Sequence, residues 1–163
     1  ETLLFNKSRI TLYSHTGQHS LKTYKSDDPS LERILSVPVK MSDIISVLTG
    51  KIPVKPYDYA WFKETDSKKE PRTILLNVQS EKRMQQLIID SDGGISEFSL
   101  LEGLEQPVYT VGFSGLQKFD SNSIFTRMAI KSESGETAVF RIQAFQKNPE
   151  MKDSVFNLTK AGQ

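Results

Sequence analysis

Apolar and polar residues alternate with a period of two along most of this chain, in short runs divided by turn residues. That is the pattern of half-buried antiparallel strands. The first runs are Thr2 to Phe5, Arg9 to Ser14 and Ser20 to Tyr24, with Asn6-Lys7-Ser8 and His15-Thr16-Gly17 supplying turn chemistry between them. They predict a meander. Alternation returns at Tyr57 and continues through Tyr57 to Glu64, Arg72 to Val78, Met84 to Asp90, Ile95 to Leu101, Val108 to Phe113, Ile124 to Lys131 and Thr137 to Gln146. Ser91-Asp92-Gly93-Gly94 and Ser132-Glu133-Ser134-Gly135 offer the positive-φ residues that tight hairpins require, so sequential neighbours are expected to pair antiparallel.

Between the two sets of strands the period changes. Asp28 can cap a helix that opens at Pro29, with Leu31, Ile34 and Leu35 on one face and Pro38 as its stop. A second helix is expected from Ser42 as N-cap, with Asp43 at the positive end of its dipole, Ile44, Ile45, Val47 and Leu48 as its apolar face, Gly50 at C′ and Pro53 beyond. The predicted fold class is mainly β (α+β), a single domain over residues 1–163. It is a curved antiparallel sheet or open half-barrel of about eight to ten strands, with a short helical lid in an insert at 29–50.

Period two assigns an inward face to the later strands: Ile74, Leu76, Leu87, Ile89, Tyr109, Val111, Phe113, Phe140 and Ile142. Ile124, Met128 and Ile130 form the clearest single stripe. Two short helices cannot cover so large a sheet completely. Its inner face therefore either packs solid or holds an apolar cavity closed by the helix bearing Ile44, Ile45 and Leu48.

Composition narrows the chemistry. The chain has 163 residues, with 21 Lys+Arg against 20 Asp+Glu, and this balance gives no footprint for nucleic acid or an anionic surface. It has no cysteine, which removes disulfides, thiolate nucleophiles and cysteine-based metal sites. No apolar run approaches the roughly 20 residues of a membrane-spanning helix. The chain opens at Glu1 without a signal segment, so any address label is expected to have been removed or to lie upstream.

Candidate motifs dissolve on inspection. His15 and His19 are split by Gly17 and read as a hairpin tip rather than metal ligands. Gly112-Phe113-Ser114-Gly115 lacks the spacing of a nucleophile elbow and no histidine follows it. Asp90-Ser91-Asp92-Gly93 opens like a calcium loop but lacks the later ligands. No glycine-rich phosphate loop is present. Ser67-Lys68-Lys69-Glu70 reads as a solvated loop tip, and the sequons at Asn6 and Asn157 matter only in a secretory context. No catalytic constellation and no cofactor is expected.

The stretch Met41-Ser42-Asp43-Ile44-Ile45-Ser46-Val47-Leu48-Thr49-Gly50-Lys51-Ile52-Pro53-Val54 resembles the helix and "LxGxxP" exit of the bacterial outer-membrane lipoprotein receptors. The end of the chain, Asn148-Pro149-Glu150-Met151-Lys152-Asp153-Ser154-Val155-Phe156-Asn157-Leu158-Thr159, is similar to the closing segment of the related periplasmic carriers. The chain thus resembles the LolA/LolB-like superfamily, strongly only in these two stretches. Members normally carry an N-terminal helix and further strands ahead of the point where this chain begins, so the resemblance implies either the C-terminal part of a longer domain or a divergent short member. It further implies a non-enzymatic half-barrel that binds lipid acyl chains or lipidated proteins in the periplasm or at the inner leaflet of the outer membrane. The receptor type would add a lipid anchor upstream of Glu1. The alternative is a structural or protein-interaction module of the cell envelope with a packed interior and no ligand.

Overall fold

The computed structural model of the protein describes residues 2–6, 9–15, 21–63, 72–78, 83–103, 106–119, 122–144 and 150. The chain divides into two compact units, residues 1–29 with 144–163, and residues 30–143. His19, the loop tip 67–70, the sequon at Asn157 and nearly all of the stretch 148–159 lie outside the described residues.

In the first unit β1 (Thr2–Asn6), β2 (Arg9–Tyr13) and β3 (Leu21–Lys25) form the expected antiparallel meander in the order β1-β2-β3. Ile10 and Tyr13 are buried, and the Tyr13 and His15 rings meet edge to face with centroids 4.8 Å apart.

The second unit opens with α1 (Glu32–Leu35) and α2 (Met41–Leu48). Neither helix begins where the sequence predicts. Asp28 and Pro29 stand ahead of α1, because Ser30 pairs with Lys40 in an isolated bridge and the Leu31 N–H donates to the Val39 carbonyl at 2.8 Å. Those bonds tie residues 30–31 to residues 39–40 and leave Leu31, at φ −90° and ψ 7°, as the N-cap, so the helix opens only after it. The same bridge holds Lys40 at φ −83° and ψ 153°, which makes Lys40 the N-cap of α2 and places the expected cap, Ser42, inside the helix. The C-terminus follows expectation. Gly50 has φ +78°, its N–H donates to the Val47 carbonyl at 3.0 Å and the Lys51 N–H donates to Ser46 at 2.8 Å, the paired bonds of a Schellman cap.

The remaining strands are β4 (Tyr59–Lys63), β5 (Arg72–Val78), β6 (Arg83–Ile89), β7 (Ile95–Glu102), β8 (Gln106–Phe119), β9 (Asn122–Ser132) and β10 (Thr137–Arg141). They form one antiparallel sheet in the order β10-β9-β8-β7-β6-β5-β4, with each strand beside its chain neighbours and no closure into a barrel. The turns carrying Gly93 (φ +86°) and Gly135 (φ +93°) are the predicted hairpins. At the second, Ser132 donates to Glu136 Oε2 at 2.9 Å and Ser134 donates to the same oxygen. β8 is longer than the alternation suggests and runs through Gly112-Phe113-Ser114-Gly115, so that segment is strand rather than elbow. The register slips between Ile88 and Ile89 and between Leu100 and Leu101 are bulges, which bend strands.

Directly paired residues share a face, and the registers draw two rows across the sheet. One runs Ala60, Leu76, Gln85, Leu100, Tyr109, Ser132, and the next runs Phe62, Ile74, Leu87, Phe98, Val111, Ile130, Ala138. Phe113, Met128 and Phe140 continue the same face. Phe98, Met128 and Ile130 have no exposed surface, so the middle of this face is packed solid.

Candidate functional site

The packed middle gives way to an open groove at the β4 side. Residues 51–58, the link from α2 to β4, form an irregular strap with a tight turn at Pro53, where the Val54 N–H donates to the Ile52 carbonyl at 2.8 Å, and Val54 and Tyr57 of the strap form one wall. Ala60 and Phe62 of β4, Ile74 and Leu76 of β5, and Leu87 of β6 form the floor and the other wall, enclosing about 370 Å³. Every side chain bordering this space is apolar or aromatic. Phe62 is 64% exposed and Tyr57 50%, so the groove presents large aromatic surface at its open side.

The strap owes its path to its sequence. Pro53 and Pro56 lack N–H donors and hold Ile52 and Lys55 extended, so this stretch cannot join the sheet as another strand. Its main chain is held instead by a side chain. Gln85 Oε1 accepts from the Lys55 N–H at 2.6 Å, and Gln85 Nε2 donates to the Lys55 carbonyl at 3.1 Å. The Gln85 amide thus offers Lys55 the donor and acceptor that a neighbouring strand would have supplied. Gln85 is fully buried, and this pairing satisfies its polar atoms.

Above this clamp lies a buried charge. Asp43 of α2 is 2% exposed. Its Oδ1 accepts from the Lys55 ammonium and its Oδ2 accepts from the Tyr109 hydroxyl at 2.9 Å. Helix, strap and sheet therefore meet at one carboxylate. Gly50 seats the far end of α2: a Cβ there would lie 3.2 Å from the Ser123 carbonyl oxygen and 3.5 Å from Ile124, so a side chain would push the helix off β9.

The residues read from the sequence separate into groups. Ile74, Leu76 and Leu87 line the groove. Tyr109, Val111 and Phe113 lie on the same face of the sheet but inside its packed part. Phe140 is half-buried on that face at the opposite edge, and Ile89 and Ile142, also half-buried, lie at strand ends away from the groove. The helix departs from the reading: α2 turns Met41, Asp43, Ile44 and Val47 inward, while Ile45 is 42% and Leu48 37% exposed. The arc at 41, 44 and 47 wins because Asp43 adjoins it and is drawn in by Lys55 and Tyr109.

Sequence reasoning assigns no role to Gln85 or Lys55, and reads Asp43 only as a dipole partner. One signal is present. Gln85 has the parity of Leu87, so period two already turns an amide inward. A second depression of about 720 Å³, bordered by Glu97, Thr110, Lys131 and Glu133 among others, is wide and lined by solvated polar groups, and gives an apolar ligand no wall.

No family model, curated protein or solved structure matches this chain. Nothing in these comparisons links it to the lipoprotein-carrier superfamily. Among the described residues no cluster of His, Asp and Glu could hold a metal, and no helix is long and apolar enough to cross a membrane.

Proposed function

We propose that the protein binds a lipid acyl chain, without catalysis, in the groove between the strap and strands β4 to β6. The observation that carries this reading is the open space of about 370 Å³ bordered only by apolar and aromatic side chains. Its size falls in the range usual for small-ligand sites. Removing an acyl methylene from water contributes about 0.8 kcal/mol, so burying about ten of them would offer roughly 8 kcal/mol before the costs of association. Shape and lining suffice for such a ligand, which accounts for a site with no motif. In this reading the sheet acts as an open half-barrel and the lid is the strap rather than α2. The ligand is a lipid or the acyl group of a lipidated protein, handled at the periplasmic side of a bacterial outer membrane as the resemblance implies.

The solid packing of Phe98, Met128 and Ile130 favours a second reading, an envelope interaction module that binds no ligand. Titration with a fluorescent fatty-acyl probe such as dansyl-undecanoate separates the two. Saturable binding is expected, weakened at least tenfold by Phe62→Asp, a loss of about 1.4 kcal/mol. Ile45→Asp, on the exposed side of α2, should leave the affinity unchanged. Absence of saturable binding by the unmutated protein would overturn the acyl-chain reading in favour of the packed module.

A further inference from the structure

The groove has one wall that is built to move. Residues 51–58 bury little: Pro53 is buried, Ile52 and Lys55 are half-buried, and Val54, Pro56 and Tyr57 are exposed. The strap is fixed near its ends by the Lys51 bond to Ser46 at 2.8 Å and by the Asp58 N–H donating to the Asn77 carbonyl at 2.9 Å. Between these points its polar ties to the rest of the fold converge on Lys55, through the Gln85 amide and the Asp43 carboxylate. The two prolines stiffen the piece between, and Gly50 at φ +78° offers a pivot at its start. A stiff segment with little buried apolar surface, tied between its two fixed ends at one residue, opens at a lower free energy than the sheet beneath it.

We propose that residues 51–58 are a latched, movable wall of the groove, held in place by the clamp on Lys55, and that release of this residue widens the groove for the ligand. The proposal rests on the acyl-chain reading for the identity of what enters, but not for the motion itself. When the clamp opens, Val54 and Tyr57 swing away with it and the groove widens beside Ile74, Leu76 and Leu87. When it closes over a ligand, the Gln85 amide regains its two bonds to Lys55. A clamp made of one amide and one carboxylate closes without a catalytic group or an energy source, as a passive carrier requires.

Native-state hydrogen exchange tests this on the unmutated protein. The Val54 and Lys55 amides are bonded in the closed strap, to the Ile52 carbonyl at 2.8 Å and to Gln85 at 2.6 Å. They should exchange at least tenfold faster than the amides of β7 and β8, and should slow at least tenfold on saturation with the dansyl-acyl probe. Gln85→Met keeps an unbranched side chain of similar length but removes the amide half of the clamp and leaves the ion pair of Lys55 with Asp43. It should speed exchange at Val54 and Lys55 a further tenfold and raise the probe's association rate, with β7 and β8 unaltered. Strap and sheet amides exchanging at one common rate in the unmutated protein would overturn the movable wall, whether or not Gln85→Met folds. Independent strap exchange in a protein that binds no probe would leave the movable wall standing and refute the acyl-chain reading alone. Probe binding with common exchange would do the reverse.

Discussion

Asp43 is a carboxylate removed from water and held by the Lys55 ammonium, the Tyr109 hydroxyl and, at 3.5 Å, the hydroxyl of its neighbour Ser42, so each donor carries part of the cost of burying it. Tyr109→Phe removes one of them while keeping the ring that packs against Phe98, with centroids 6.2 Å apart. Chemical denaturation should show a loss of about 1.5–3 kcal/mol, the usual value of a hydrogen bond to a charged group. At Gly50 the argument is steric. Alanine would have to adopt a positive φ and crowd the Ser123 carbonyl, and a cost of about 1–3 kcal/mol, or several degrees in thermal unfolding, is expected. Glu136 responds to pH. The hydroxyl of Ser134, then its own backbone N–H, then the hydroxyl of Ser132 hold its carboxyl below the ordinary glutamate value. A depressed carboxylate contributes stability that is present above its unfolded value and lost as pH falls through its folded value. The thermal stability gap between the protein and Glu136→Gln should therefore be constant above about pH 5 and shrink on further acidification. A gap that does not change with pH would refute the contribution of this turn.

At the scale of elements, α2 has two apolar margins and only one is buried. Ile45→Asp and Leu48→Asp should change stability by about 0.5 kcal/mol or less, whereas Val47→Asp, at a position 2% exposed, should cost several kcal/mol in the same thermal unfolding assay. The contrast explains what was legible in the sequence. Strands announce themselves by alternation, so Arg72–Val78 emerges with both its predicted bounds and the inward parity of Ile74 and Leu76 is fixed by period two. Helix starts here depend on a non-local bridge between Ser30 and Lys40, which no local capping residue reveals. The inward side of α2 is likewise set by partners 12 and 66 residues away. The groove residues on β5 and β6 could be read because they belong to the repeating pattern. The strap could not, because an irregular proline-containing link has no period and its side-chain anchors are a glutamine among apolar neighbours and a carboxylate on the helix.

At the scale of the whole molecule, the sheet of residues 59–141 is a plain succession of neighbours, every strand paired with those before and after it in the chain. Chains joined in this way close only short loops at each step, and loop-closure entropy, which limits the speed of many β folds, stays small. Longer closures join α2 back to the sheet, in the packing of Gly50 on Ser123 and in the bond from Tyr109 to Asp43 across 66 residues. Closing so long a loop costs more entropy than pairing neighbouring strands, so this bond is expected to form after the rate-limiting barrier rather than in the nucleus. Stopped-flow measurements on Tyr109→Phe should accordingly show unfolding accelerated by about tenfold or more and refolding altered by less than about twofold, a φ-value near zero. Slowed refolding with unchanged unfolding would instead put α2 on the sheet before the barrier. With the late placement, the last contact to form in folding is the first to be lost in unfolding, and the kinetic lifetime of the native state is set at Asp43 rather than in the densely packed centre of the sheet.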